Sequence, residues 1–223
     1  MQKNPKPLSR ERIVEAALAL VADESLAGFS TRKLGERLGC QAMSIYHHFP
    51  SKQRLIDALV DHAMASIDTA PTQSDPLERL RHMLRSYREM ANRFPALYPL
   101  LSVHRLNTPT GVATIERFIA VMHEVVPDAE LAARHFRTIG YYITGAALDE
   151  TSGYARGPSA AEPVSDAYVA AHCPHLMASA PFFKPQHWQA TYELGLDALL
   201  ARIQADGAMV RKRAKPKARK AAA

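Results

Sequence analysis

Only two cysteines occur in the 223 residues, Cys40 and Cys173, and neither stands in a C-x-x-C pair. Thiols so few and so far apart exclude a disulfide framework and a cysteine-based zinc site, and they fit a reducing compartment. Tryptophan occurs once and aromatic residues make up 7% of the chain, so the core must be built mainly from aliphatic side chains. No apolar run approaches the roughly 18 residues of a bilayer span. The first dozen residues are polar and basic with no apolar stretch behind them, so neither a membrane segment nor a signal peptide is expected. G-x-S-x-G, the P-loop and G-x-G-x-x-G are all missing, which removes the nucleophile elbow and the phosphate-cradling loops. Ten histidines are present, but the densest grouping, His172-Cys173-Pro174-His175, lies in an irregular stretch. No catalytic residue, metal ligand or cofactor is expected.

What the chain has is apolar mass and unevenly placed charge. Hydrophobic residues make up 47% of it and the net charge is +6, enough core to exclude global disorder. Residues 1–60 carry a net +3, residues 61–210 a net −4, and residues 211–223 a net +7 with no acidic residue. A basic front, an acidic middle and a basic tail point to a polyanion bound at the front.

Almost every segment has helical periodicity and none has a strand signal. Ile13, Ala16, Ala17, Leu20 and Val21 form one apolar stripe behind a capping Ser9, closed at Gly28 with Phe29 folded back. Ser30 caps a second helix with Leu34 and Leu38 inward, and Gly39 ends it. A short third helix, about 41–48, buries Ile45; Pro50 stops it and Ser51 caps a fourth with Leu55, Ile56, Leu59 and Val60. A polar stretch over 69–75 marks a boundary, and Asp75-Pro76-Leu77-Glu78 is a strong helix start. Helices follow over about 76–92, 95–104, 109–125, 129–155 and 187–204. Residues 156–186 lack a clear period, with a short helix expected near 165–171. The tail from 207 to 223, rich in Lys, Arg and Ala, buries nothing and is expected to be disordered.

The run Ser30 to Phe49, STRKLGERLGCQAMSIYHHF, has the physics of a helix-turn-helix. Leu34, Leu38 and Ile45 hold two short helices across a glycine turn, leaving the second free to enter a major groove. Gln41, Ala42, Met43, Ser44, Tyr46, His47 and His48 would face outward. Glutamine suits adenine, Ala and Met suit the thymine methyl, and the rest suit base edges or phosphates. Thr31, Arg32 and Lys33 open one helix and Lys52 another, where free backbone N–H groups favour phosphate. On spacing alone, a helical bundle with an incidental turn explains the pattern equally well.

From Ser9 to about Ala65 the chain resembles the TetR family head. The resemblance rests on Arg10, Ile13, Ala16 and Ala17; on Gly28-Phe29; on Thr31, Leu34, Leu38 and Gly39; on Ser44-Ile45-Tyr46-His47-His48-Phe49; and on Ser51-Lys52, Leu55 and Ala58. It implies phosphate contacts at Thr31, Tyr46, His48 and Lys52, and base readers among Gln41, Ala42, Met43, Ser44 and His47. Cys40 departs from the β-branched residue usual there.

The body resembles the family more weakly. Ile139 to Glu150 and Tyr192 to Leu200 look like the two helices that form a four-helix dimer interface. That implies interface positions Ile139, Ile143, Ala146, Ala147, Trp188, Tyr192, Leu196 and Leu199, with packing inside one chain as the alternative. A ligand cavity is also implied. Its apolar candidates are Tyr87, Met90, Phe94, Leu101, Phe118, Met122, Phe136 and Tyr142, each also explicable as core. Its polar candidates are His104 and Arg105.

The reading is thus an all-α protein with a three-helix helix-turn-helix head and a helical-bundle body. The head spans 9–69 with its motif at 30–49, the ligand-binding and dimerising body spans 75–206, and the basic tail spans 207–223. It implies a cytoplasmic homodimer that holds a palindromic operator in double-stranded DNA and releases it when a small-molecule effector binds. The alternative is a nonspecific architectural DNA binder. The tail reads as solvated, as an auxiliary DNA contact, or as a membrane-surface contact.

Overall fold

The structure, a computed structural model, describes residues 7–152 and 159–221, with side-chain surroundings described as far as Arg213. Every element among the described residues is helical. They are α1 (Arg10–Gly28), α2 (Thr31–Leu38), α3 (Ala42–His48), α4 (Lys52–Ala65), α5 (Pro76–Arg93), α6 (Tyr98–Leu101), α7 (Pro109–Val125), α8 (Ala129–Ser152), α9 (Asp166–His172), α10 (Pro174–Ser179) and α11 (Trp188–Ala221). Two 3₁₀ turns, Ala180–Phe183 and Pro185–His187, precede α11. None of these helices is long and apolar enough to cross a membrane. The expected all-α architecture is present.

The chain divides into two compact units, Met1–Glu124 and Val125–Ala223. The first holds α1 to α6 and nearly all of α7. Serine caps start α1, α2 and α4: Ser9, Ser30 and Ser51 each accept from the backbone N–H three residues on, at 3.2, 3.3 and 3.1 Å. Such a cap contributes about 1 kcal/mol. The apolar stripes contribute more, since each fully buried large side chain is worth about 1.5–3 kcal/mol. Ile13, Ala17, Leu20, Leu34, Ile45, Phe49, Leu55 and Leu59 are all buried, so packing holds this bundle and the caps set where its helices begin. One feature escapes periodicity: Ser25, at φ 62 and ψ 168, kinks α1 near its end.

Residues 69–75 lie within the first compact unit. The Asp68 backbone N–H donates to Ser86 of α5 at 2.8 Å, and His82 of α5 lies 2.7 Å from the Asp68 carboxylate. That contact, with the Ala70 N–H adding to it, holds the Asp68 carboxyl below its usual range. On the inner side of α5, Leu80, Met83, Leu84 and Met90 are buried.

In the second unit, α8 packs on α11. Ile139, Ile143 and Ala147 are buried, as are Tyr192, Leu196, Leu200 and Ile203. Leu199, placed in this stripe by its spacing, is half-buried; the packing phase selects Leu200 instead. A short helix was expected near 165–171, and α9 supplies one, capped by the Ser165 side chain on the Tyr168 N–H. The end of the expected 129–155 helix lies beyond Ser152, outside the described residues.

The disordered tail expected over 207–223 is corrected as far as Ala221, because α11 continues to that residue. Two anchors explain why it does not stop near 204. A methyl group at Gly207 would lie 2.1 Å from the Val125 carbonyl oxygen, and the Arg211 guanidinium donates to that same oxygen at 2.8 Å. Beyond Arg211, Ala, Lys and Arg are good helix formers and an existing helix propagates without a new nucleation cost, whereas Pro216 removes one backbone donor and works against the helix there.

Candidate DNA-binding site

The helix-turn-helix is built by two glycines. Gly39 ends α2 at φ 68, in the left-handed region. Gly35, buried on α2, lets the turn approach: a methyl group there would lie 2.7 Å from the Cys40 carbonyl oxygen and 3.3 Å from the Ala42 nitrogen. Neither backbone atom can yield much, so α3 is held close to α2. Cys40 itself is half-buried.

On that frame α3 buries only Ile45 among its seven residues. Gln41, Met43 and His47 are exposed, and Ala42, Ser44, Tyr46 and His48 are half-buried. Thr31 and Tyr46, both expected at phosphates, come together with their hydroxyls 3.3 Å apart. Arg32 is exposed and lies 3.7 Å from Glu36, a pair too solvated to hold it. Lys33 is paired with Glu24 at the end of α1, so contact with a phosphate must displace that carboxylate. Lys52 is exposed, with Nζ 3.5 Å from the Phe29 carbonyl oxygen and 5.7 Å from its ring centroid.

Two contributors were not among the candidates for DNA contact. Arg10 stacks 4.2 Å above the Phe49 ring and donates to the His48 carbonyl, joining the start of α1 to the end of α3. Arg37 pairs with Asp23 at 2.6 Å, fixing α2 on α1. A cation and its aromatic partner leave no sequence signal when the two lie 39 positions apart.

The first unit also ties α4 to the helices beyond it. His104, just past α6, places Nε2 3.2 Å from the Asp57 carboxylate, while its Nδ1 is buried with no partner. The Thr108 hydroxyl donates to Asp61 at 2.5 Å and accepts from the Gly111 N–H at the start of α7. Arg105 is exposed, so His104 is the enclosed polar candidate of the two.

Among the apolar cavity candidates in this unit, Met90, Leu101, Phe118 and Met122 are buried. Tyr87 bonds the Tyr98 hydroxyl at 2.9 Å, and Phe94 meets His62 edge-on at 6.0 Å.

In the second unit Phe136 is half-buried. Tyr142 stacks on Tyr192 at 5.6 Å and donates to its carbonyl at 2.6 Å. Of the interface candidates, Ile139, Ile143, Ala147, Tyr192 and Leu196 are buried within one chain, on the two helices α8 and α11 that pack together. Ala146 and Trp188 are half-buried and line a groove of about 430 Å³ with Tyr141, Gly145 and Thr191. Tyr141 and Leu194 are exposed.

A buried charge sits in the same unit. Asp206 of α11, 4% exposed, accepts from Arg202 at 2.9 Å and lies 3.0 Å from His135 of α8. The Arg202 hydrogen bond first, and His135 after it, hold the Asp206 carboxyl below its ordinary range against the effect of burial. Among the described residues no group of three His, Cys, Asp or Glu side chains is placed to hold a metal ion.

Known proteins share this arrangement. Residues 13–59 match the family of bacterial regulatory proteins, tetR family, and residues 70–206 match the tetracyclin repressor-like C-terminal domain. The tetracycline repressor protein class A from transposon 1721 of Escherichia coli is 26% identical over 195 residues, covering 86% of this chain and 89% of that protein. A crystal structure from Streptomyces coelicolor A3(2), of a possible TetR family transcriptional regulator, superposes with TM-score 0.73 at 24% identity, covering 88% of this chain and 99% of that one. The Streptomyces coelicolor TetR family protein ActR in complex with actinorhodin superposes with TM-score 0.70 at 25% identity, covering 91% and 98%. With a head match over α1 to α4 and a body match over more than half of its length, the chain belongs to the TetR family of bacterial regulatory proteins.

Proposed function

We propose that the protein is a homodimeric repressor that holds a palindromic operator and lets it go when a small molecule occupies its body. The observation that carries this reading is α3: a helix locked at its root by Gly35 and Gly39, with Gln41, Met43 and His47 exposed. Thr31, Tyr46 and Lys52 beside it position the phosphates, and Gln41, Ala42, Met43, Ser44 and His47 read bases. Such a regulator acts in the cytoplasm, where the chromosome is.

The links from His104 to Asp57 and from Thr108 to Asp61 supply a route for release. An effector among α5 to α7 that prefers another placement of residues 104–108 shifts α4, and with it the head, by its differential affinity for the two states. The unpartnered Nδ1 of His104 offers that effector one enclosed polar contact. Two heads must also match half-sites about 34–36 Å apart, so a small displacement suffices. Dimerisation is supported by the apolar side chains that one chain leaves in water: Tyr141 and Leu194 on α8 and α11, and Tyr168, Leu176, Met177 and Phe182 before α11.

Selection of bound duplexes from a random pool tests the reading. A palindromic consensus is the expected result, with Gln41→Ala costing about 1–3 kcal/mol and relaxing one base pair in each half-site. Binding with no preferred sequence would favour an architectural DNA binder instead. Ala146→Arg should yield monomers in sedimentation; an unchanged dimer places the interface elsewhere.

A further inference from the structure

We infer that residues 211–220 are a second DNA-binding element, one that grips the phosphate backbone without reading sequence. They hold seven Lys and Arg and no acidic residue, and they lie beyond the body match, which ends at residue 206. α11 carries them as a continuation of a packed helix, rooted by Gly207 and Arg211 on the Val125 carbonyl. Lys212 and Arg213 are exposed.

Charge density fits. Duplex DNA carries one negative charge per about 1.7 Å of axis, and the run offers six cations besides the rooted Arg211. A membrane surface fits less well, because the only apolar side chains in the run are Ala214, Pro216 and Ala218 and an interfacial helix needs an apolar face. The inference rests on the proposed function only for the choice of duplex DNA as the polyanion.

The test compares the full chain with a variant carrying Lys212→Gln, Arg213→Gln, Lys215→Gln, Lys217→Gln, Arg219→Gln and Lys220→Gln, leaving the rooted Arg211 in place. Both are titrated with the selected operator, with a scrambled duplex at 50 and 200 mM salt, and with anionic lipid vesicles. Each lost phosphate contact lowers the salt slope by about 0.9. The variant is expected to show a slope smaller by about 2 or more and at least about tenfold weaker binding to the scrambled duplex at 50 mM. Its melting temperature should hold and its ratio of operator to scrambled affinity should hold or rise. Exchanging Lys for Arg at the same positions should restore the slope. An unchanged slope overturns the inference, as does loss of operator preference with nonspecific affinity intact, or a charge-dependent affinity seen for vesicles alone. If selection yields no consensus but the slope still falls, the reading of the head fails and this one stands.

Discussion

The helix-turn-helix and the α8–α11 pair use glycine for different purposes. In the head, Gly35 and Gly39 bring two short helices together so that polar side chains stay outside. In the pair, Gly195 and Gly207 admit what is already there: a methyl group at 195 would lie 2.5 Å from the Tyr142 hydroxyl, and one at 207 lies 2.1 Å from a backbone oxygen. Gly140 and Gly145, on the same α8, have nothing within 4 Å of an added methyl group. Crowded glycines hold the chain to itself; open ones are free for another molecule. Substitutions can break that distinction one position at a time.

Gly207→Ala should have the largest effect. The obstructing atom is a backbone carbonyl that also accepts from Arg211, so it cannot retreat without losing that bond. A cost of about 3 kcal/mol is expected, read as a lower melting temperature with weaker helical signal. Gly35→Ala meets a carbonyl at 2.7 Å and should cost about 2 kcal/mol. Its operator affinity should fall further than its stability, because α3 is displaced. Equal losses would show that Gly35 serves stability alone.

Gly195→Ala should cost less, about 1 kcal/mol, since the obstruction is the far end of a side chain and alanine returns helix propensity. The Tyr142 ring must turn, giving up its bond to the Tyr192 carbonyl and its stacking. Near-ultraviolet circular dichroism should therefore change more than the melting temperature does.

Acid tests the same pair through Asp206. Its carboxyl is held below the ordinary value, by Arg202 first and His135 after, so the folded state favours the ionised form. That contribution is complete above about pH 4, the ordinary aspartate value, and is lost as pH falls through the lower folded value. Asp206→Asn should melt below the parent at pH 7, and the gap should close as pH falls below 4. A gap that persists at pH 2 would assign the loss to packing.

These contrasts also show what could be read from residues alone. Caps, glycine stops and apolar spacing act within a few positions, so Ser9, Ser30, Ser51, Gly39 and the stripe of α1 announced the head, and its exposed residues followed. Long-range packing leaves no such trace. The choice of Leu200 over Leu199 depends on the phase α8 imposes, and a 3.6-residue period admits both. The run of α11 past 204 depends on Val125, which lies 82 positions before Gly207. The body residues chosen as interface, and all but His104 and Arg105 of those chosen as cavity, were apolar and periodic, and those are also the marks of core; Ile139, Ile143 and Leu196 are buried within one chain.

The smallest effect is expected at the open glycines, and its sign carries the argument. Gly140 and Gly145 lie in the interior of α8, where Gly→Ala raises helix stability by about 0.8–1 kcal/mol when nothing obstructs it. In an isolated chain both substitutions should therefore raise the melting temperature. If a second copy packs on this face of α8, the added methyl groups separate the helices and the dimer weakens while each protomer gains. Melting at low protein concentration and sedimentation at increasing concentration separate the two. Higher protomer stability with a weaker dimer would place α8 at the interface. Higher stability with an unchanged dimer would leave the exposed side chains of α9, α10 and the 3₁₀ turns as the surface that a partner covers.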